Sequence, residues 1–284
     1  MSKYITKRVL ISIMTMLVIL FVLFLMLSLM PGSPFNDEKL TEAQKIALYA
    51  KYGLDQPFFI RFIKYVGNMF KGDLGVSYVL NKNRAVAEMV TGPLGVSIRI
   101  GAQGFLLGSI IGLLLGIAAA LNHNSWIDSL CSAISIVGVS VPSYVFALLL
   151  AYFIGFKLNW CPILYNTNNP VYSSILPSIA LVQAKGVREK DLIFHHALRN
   201  TLIPIVTVMG PMLVNLLTGS MVVEKVFAIP GIGMLMVQAI TGNDYNVVIA
   251  CAFVYSALYI IMMLIVDILY GIIDPRIRVA KEGS

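Results

Sequence analysis

Residues 100–121 read IGAQGFLLGSIIGLLLGIAAAL, a run without a charged side chain in which only Gln103 and Ser109 are polar. About 20 apolar residues in helical form cross about 30 Å of hydrocarbon, so this run is long enough to span a bilayer. Backbone polar groups in lipid must be satisfied within the segment, which makes the crossing a helix. Gly104, Gly108, Gly112 and Gly116 recur at every fourth position, and Ala120 continues the series. Small residues at this spacing share one helix face and let another backbone come close. Such a face suits a subunit interface or packing within the chain, and the second is the commoner use.

Four further runs are free of charge: residues 9–30, 130–156, 201–223 and 246–266. The whole chain of 284 residues is 58% apolar and 12% charged, with a mean hydropathy of +0.84. A water-soluble domain carries about 25% charged residues, so this composition gives an all-α, polytopic membrane bundle. The first run is longer than a secretory signal core, and Pro31-Gly32-Ser33-Pro34 ends it without a small-residue cleavage pattern. It is therefore read as a retained span. The net charge of +7 comes from basic residues beside apolar runs, which marks topology rather than a nucleic-acid surface. Cys131, Cys161 and Cys251 have neither metal-ligand nor CxxC spacing.

Basic residues near span ends mark the cytoplasmic side. Lys3, Lys7 and Arg8 precede the first run, Arg276, Arg278 and Lys281 follow the last, and Lys185, Arg188, Lys190 and Arg199 sit between the third and fourth. Both termini and residues 183–200 are thus expected inside, and the loop at 224–245 outside. Two inside termini require an even number of crossings, yet five runs are visible. The odd crossing falls where only residues 175–182 are apolar, and eight residues rise about 12 Å as a helix. A segment of roughly 20–30 residues, enough for one span, is therefore expected to be absent near residues 180–183. The expected organisation is a tail and first span at 1–30, an outer segment at 31–99 and a core at 100–284 with a cytoplasmic loop at 184–200.

Within the outer segment, Thr41 and Gln44 stand at capping-box spacing ahead of a helix ending near Gly53. After Pro57, Phe58, Phe59, Phe62, Ile63, Val66 and Phe70 gather on one helical face, and Arg61, Lys64 and Lys71 lie elsewhere. That pattern predicts a helix lying at a membrane surface.

Several chemistries lack their residues. No GxxxxGK[ST] run exists to cradle phosphates, so the chain is not an ATPase by itself. His123 stands alone and His195 and His196 are adjacent, which leaves no third metal ligand at a usable spacing. No catalytic or metal-ligating residue is assigned. Residues 184–200, AKGVREKDLIFHHALRN, are more informative. Apolar positions 187, 192, 193, 194, 197 and 198 alternate with charges as a short amphipathic helix, too small to be stable alone in water. It suits docking in a partner's groove, or else simply links two spans.

This run, from Ala184-Lys185-Gly186 through His196-Ala197-Leu198-Arg199-Asn200 to Pro204, resembles the coupling-loop (EAA) motif of bacterial ABC-importer permeases in its peptide-importer form. Further motifs follow in family order. They are Gly53-Leu54-Asp55-Gln56-Pro57, Gly72-Asp73-Leu74-Gly75-Val76-Ser77, Ser140-Val141-Pro142, Val226-Phe227-Ala228-Ile229-Pro230-Gly231-Ile232-Gly233, Asp244-Tyr245 and Asp274-Pro275-Arg276-Ile277-Arg278. Together they are similar to the B-type transmembrane subunit of oligopeptide and dipeptide importers. The family's coupling loop opens with an acidic residue a few positions before Ala184, preceded by a fourth span, and both are missing here.

The resemblance implies six spans with both ends inside and a multi-pass subunit in the bacterial plasma membrane. It implies a homologous second permease, two cytoplasmic ATPase subunits that bind ATP and Mg, an extracytoplasmic peptide-binding lipoprotein, and a peptide substrate. The chain itself would hold no cofactor. Coupling to the ATPases would fall to Ala184, Lys185, Gly186, Val187, Arg188, Leu192, Ile193, His196, Ala197, Leu198 and Arg199. The polar residues Asn215, Thr218 and Ser220 of the fifth run are pathway candidates, because polar groups in a span face protein or water. Nickel, glutathione or an oligosaccharide remains an alternative cargo, and a channel or scaffold a rival that leaves the basic loop unexplained.

Overall fold

The computed structural model describes residues 2–29, 41–185 and 221–273. Every regular element among them is helical, and one isolated antiparallel bridge joins Val76 to Ala85. The helices are α1 (Ser2–Leu29), α2 (Glu42–Tyr52), α3 (Phe58–Met69), α4 (Val86–Leu121), α5 (Trp126–Ser140), α6 (Ser143–Leu150), α7 (Pro170–Ser173), α8 (Ile175–Lys185), α9 (Met221–Val226), α10 (Ile232–Thr241) and α11 (Tyr245–Ile273). Among the described residues three stretches are long and apolar enough to cross a membrane: Thr6–Leu29, Val86–Leu121 and Tyr245–Val266. Their exposed faces carry large apolar residues such as Met14, Leu114 and Ile261, the reverse of what water requires. The chain is an all-α, polytopic membrane protein.

The third apolar run, read as one continuous stretch over 130–156, is divided. α5 stops at Ser140, Val141 turns to extended backbone, and Pro142 opens α6. Proline has no N–H for a preceding carbonyl and clashes with a continuing helix. α6 then passes into a π-helical turn, Ala151–Lys157. The described part of α8 is 11 residues long and rises about 16 Å.

The chain forms two compact units. One comprises Met1–Leu94 with Leu235–Ile260, the other Gly95–Met234 with Ile261–Ser284. In the first, α1 packs on α3 through rings: Phe21 meets Phe58 and Phe62 edge-on at 5.6 and 5.3 Å, and Phe24 meets Phe58 at 5.5 Å. Edge-to-face pairs of this kind add about 0.5–1.5 kcal/mol each beyond area burial. The apolar face anticipated for α3 is thus shared. Phe58 and Phe62 turn toward α1, while Phe59, Ile63 and Phe70 stay exposed.

α2 begins with the expected capping box. The Thr41 hydroxyl accepts from the Gln44 N–H, and the Gln44 side chain accepts from the Thr41 N–H. It ends at Gly53, in the left-handed region at φ 65°, while Leu54 N–H donates to Tyr49 O at 2.9 Å. Glycine adopts this closing turn without the Cβ penalty.

The second unit is built around Ile100, Ala147, Leu176, Ala180, Leu181, Val223, Phe227 and Ile229. Phe227 is fully buried, and burying such a side chain contributes about 1.5–3 kcal/mol. Gly104 of α4 lies against α8, where a Cβ would stand 3.2 Å from Ser178 O. Around that approach the Ser178 hydroxyl donates to Ile100 O at 3.3 Å, and the Ser174 hydroxyl bonds the Gln103 side chain. Gly104 therefore packs within the chain.

Candidate functional site

Among the described residues, each unit holds a buried carboxylate that gathers a loop around itself. In the first unit, Gln238 to Asp244 make a chain reversal. α10 closes with Asn243 in the left-handed region at φ 57°, and the Asp244 N–H donates to Ala239 O at 2.8 Å. Asparagine tolerates that conformation better than other side-chain-bearing residues. Asp244 then stands at the head of α11 with its carboxylate fully buried.

That carboxylate is the hub of residues 77–80. Its Oδ2 accepts from the Ser77 hydroxyl at 2.5 Å and from the Val79 and Leu80 N–H groups at 3.0 Å, and its Oδ1 accepts from Tyr78 N–H at 3.0 Å. The Ser77 hydroxyl also accepts from Asn81 N–H at 2.9 Å. A buried charge is tolerated when its lone pairs are filled in this way. Gly72 and Gly75 supply the turn before it at φ 81° and 80°, and Asp73 accepts from Gly75 N–H at 2.8 Å. A Cβ on Gly75 would press on the Asn246 side chain, which donates to Val76 O. Burial pushes the neighbouring Tyr78 hydroxyl up to about 12, so it stays protonated.

In the second unit Glu224 plays the equivalent part. Its carboxylate accepts from the Ser97 hydroxyl at 2.8 Å and from Met234 N–H at 2.7 Å, and Ser97 in turn accepts from Ile232 N–H at 2.9 Å. These N–H groups belong to the first turn of α10, whose free donors and dipole favour a negative partner. Gly231 and Gly233 carry no Cβ because one there would overlap or crowd the Glu224 carboxylate. α9 ends with Ala228 at φ 50°, while Ile229 N–H donates to Glu224 O at 2.8 Å and Ala228 N–H to Lys225 O at 3.4 Å. This is a Schellman closure with alanine where glycine is usual. The motif from Val226 to Gly233 is thus a helix end, a turn and a helix start wrapped around one carboxylate.

Glu224 and Asp244 were legible only as an outer loop; their burial and partners were not. Of the coupling residues, Ala184 and Lys185 are the last described residues of α8. Gly186, Val187, Arg188, Leu192, Ile193, His196, Ala197, Leu198 and Arg199 lie outside the described residues, as do Asn215, Thr218 and Ser220. Gly108 is buried, and Gly112 and Gly116 are half-buried along α4. Among the described residues no group of three or more metal-ligating side chains converges, and all three cysteines are free thiols. Among the described residues the two carboxylates hold backbone donors and hydroxyls. Their chemistry is that of fixing loops.

Comparison with known proteins places these motifs. Residues 112–182 and 179–279 match the family described as binding-protein-dependent transport system inner membrane component. The dipeptide transport system permease protein DppB of Lactococcus lactis subsp. cremoris is 38% identical, over 98% of this chain and 100% of its own. DppB of Bacillus subtilis is 34% identical over 100% of both chains, and the oligopeptide transport system permease protein OppB of Haemophilus influenzae 34% over 98% and 100%. These alignments run over 305, 311 and 307 positions against a chain of 284 residues, so each relative carries at least 21 residues without a counterpart here. The two family matches meet at 179–182, where the span count had called for extra chain. The chain belongs to the family of binding-protein-dependent transport system inner membrane components.

Proposed function

We propose that the chain is the transmembrane permease subunit of an ATP-driven ABC importer for peptides, working with a homologous second permease. Full-length identity of 38% to a dipeptide transport system permease protein carries this reading. ATP and Mg are bound by two cytoplasmic ATPase subunits, and an extracytoplasmic binding lipoprotein delivers the peptide. The chain sits in the bacterial plasma membrane with both termini inside. Residues 1–30 form the tail and first span, 31–99 the outer segment, and 100–284 the permease core.

α8 leads directly into residues 186–199, whose apolar side dips into an ATPase groove with Arg188 and Arg199 at the rim. Closure of the ATPase pair on ATP pulls that helix and exchanges an inward-open packing for an outward-open one. Asn215, Thr218 and Ser220 line the route. The extra residues of the relatives supply the fourth span, which the family pattern sets just ahead of the coupling loop. The carboxylate-centred loops give the outer side fixed shapes against which a binding protein can seat.

The test is reconstitution. The tagged chain is purified in mild detergent, its partners are identified by mass spectrometry, and the complex is placed in liposomes with its binding protein and a labelled dipeptide. The expected result is two ATPase chains, one second permease, and uptake that needs ATP inside the acceptor compartment. Recovery of this chain alone across several detergents, or uptake indifferent to ATP, overturns the proposal.

A further inference from the structure

The first unit contains a cavity of about 410 Å³ that the loops described above leave open. Among the described residues Lys51, Arg61 and Lys64 line it together with Tyr65, and no aspartate or glutamate does. Among the described residues the three cations meet only neutral partners. Lys51 donates to the Asn83 side chain at 3.2 Å, Lys64 to the Gln56 side chain at 2.8 Å, and the Arg61 guanidinium lies 5.5 Å from the centre of the Phe24 ring. The Tyr65 hydroxyl is buried and, among the described residues, meets no hydrogen-bond partner. Burial raises its pKa well above the ordinary value, so it is a donor at any working pH.

A buried donor without an acceptor costs about 1–3 kcal/mol. Three cations around one cavity also repel one another unless an anion joins them. The ligand chemistry is therefore an oxyanion. Its source follows from where the cavity lies. Leu27 and Ser28, in the last turn of α1, line it, and the apolar stretch Thr6–Leu29 of 24 residues is about 36 Å long. Its end stands at the level of lipid headgroups above a core of about 30 Å. On the helix that carries Arg61 and Lys64, Phe59 and Ile63 are 65% and 68% exposed, the side chains that acyl chains cover.

We propose that this cavity binds the phosphate of an anionic phospholipid, with Arg61, Lys64 and the Tyr65 hydroxyl as donors. A phosphoglycerol headgroup fits the charge, whereas a choline headgroup would bring its own cation against Lys51. Basic pockets between spans on the cytoplasmic side bind anionic headgroups by the same pairing of cations with phosphate, and this cavity offers that pairing at the outer end of α1.

The assembled transporter is reconstituted in nanodiscs of equal phosphatidylglycerol and phosphatidylcholine, and the lipid retained after release is read by native mass spectrometry. Wild type is expected to retain phosphatidylglycerol over phosphatidylcholine. The Arg61→Gln/Lys64→Gln double variant should retain about tenfold less, and Tyr65→Phe about threefold less. Arg84→Gln, which removes an exposed cation paired with Glu88 at 3.5 Å, should retain as much as wild type. Lys64→Gln alone, at an exposed position, still lowers retention if the double variant does not assemble. Retention that is equal in wild type and both Lys64 variants, or equal for the two lipids, overturns the proposal. So does displacement of the lipid by inorganic phosphate at matched concentration, which would mark a free-anion site.

Discussion

Replacing Asp244 gives a sharp test of the carboxylate-centred loop. In Asp244→Asn one oxygen survives. Set at the Oδ2 position it keeps Ser77, Val79 and Leu80, but the new amide then points its hydrogens at Tyr78 N–H, which had donated to Oδ1. One bond is lost and three lose charge assistance, a cost of about 2–3 kcal/mol. Asp244→Ala strands the Tyr78, Val79 and Leu80 donors together. At about 1–3 kcal/mol each, reduced because Val79 and Leu80 are only part-buried, the cost is about 4–5 kcal/mol. Amide hydrogen exchange on the detergent-solubilised complex reads this directly, because local opening sets the exchange rate. With about 1.4 kcal/mol per factor of ten, peptides covering residues 77–80 should exchange about 30–100-fold faster in the asparagine variant and faster still in the alanine variant. The Ile229 amide, bonded to Glu224 O in the other unit, should not change. Exchange at 77–80 within threefold of wild type in Asp244→Ala would refute the assignment of Asp244 as the hub.

Other substitutions probe different links. Ala228→Gly should stabilise the protein by about 0.5–1 kcal/mol, because Ala228 holds φ 50° where a Cβ is penalised; an unchanged or lower unfolding midpoint would contradict the strain. Gly231→Ala forces a methyl group into the Glu224 carboxylate and should cost about 1–3 kcal/mol, read as a lower midpoint that Glu224→Ala in the same chain partly restores. Gly186→Asp should leave insertion and partner recovery intact while abolishing ATP-driven uptake, because in the proposed coupling loop glycine supplies a turn that a side chain hinders; wild-type uptake would refute the coupling role.

Local features were legible in the sequence because their causes are local. The Thr41–Gln44 box, the glycine end of α2 and the start of α3 after Pro57 each involve residues within one or two turns. The apolar run at 9–30 corresponds to α1 for the same reason. Where a single residue outweighed an average, the reading failed: hydropathy over 130–156 runs straight through Pro142, at which the helix stops. Charge patterning placed Glu224 in an outer loop, as if solvated, yet it is 3% exposed. Nothing near it announces that, because Ser97 is 127 residues away. The same holds for Ser77 and Asp244, 167 residues apart. The coupling stretch is the converse case, recognised by motif alone.

Those long separations also set a timetable for biosynthesis. At about 5–20 residues per second on the ribosome, Ser77 emerges roughly 10–30 s before Asp244. Throughout that interval the Tyr78, Val79 and Leu80 donors lack the acceptor that will hold them. Ser97 likewise waits for Glu224. The turns are finished only when Glu224 and Asp244 arrive, so until then the nascent protein holds these donors without their acceptors. A quality-control protease that samples those turns would distinguish truncated chains from finished ones without inspecting any helix in the bilayer.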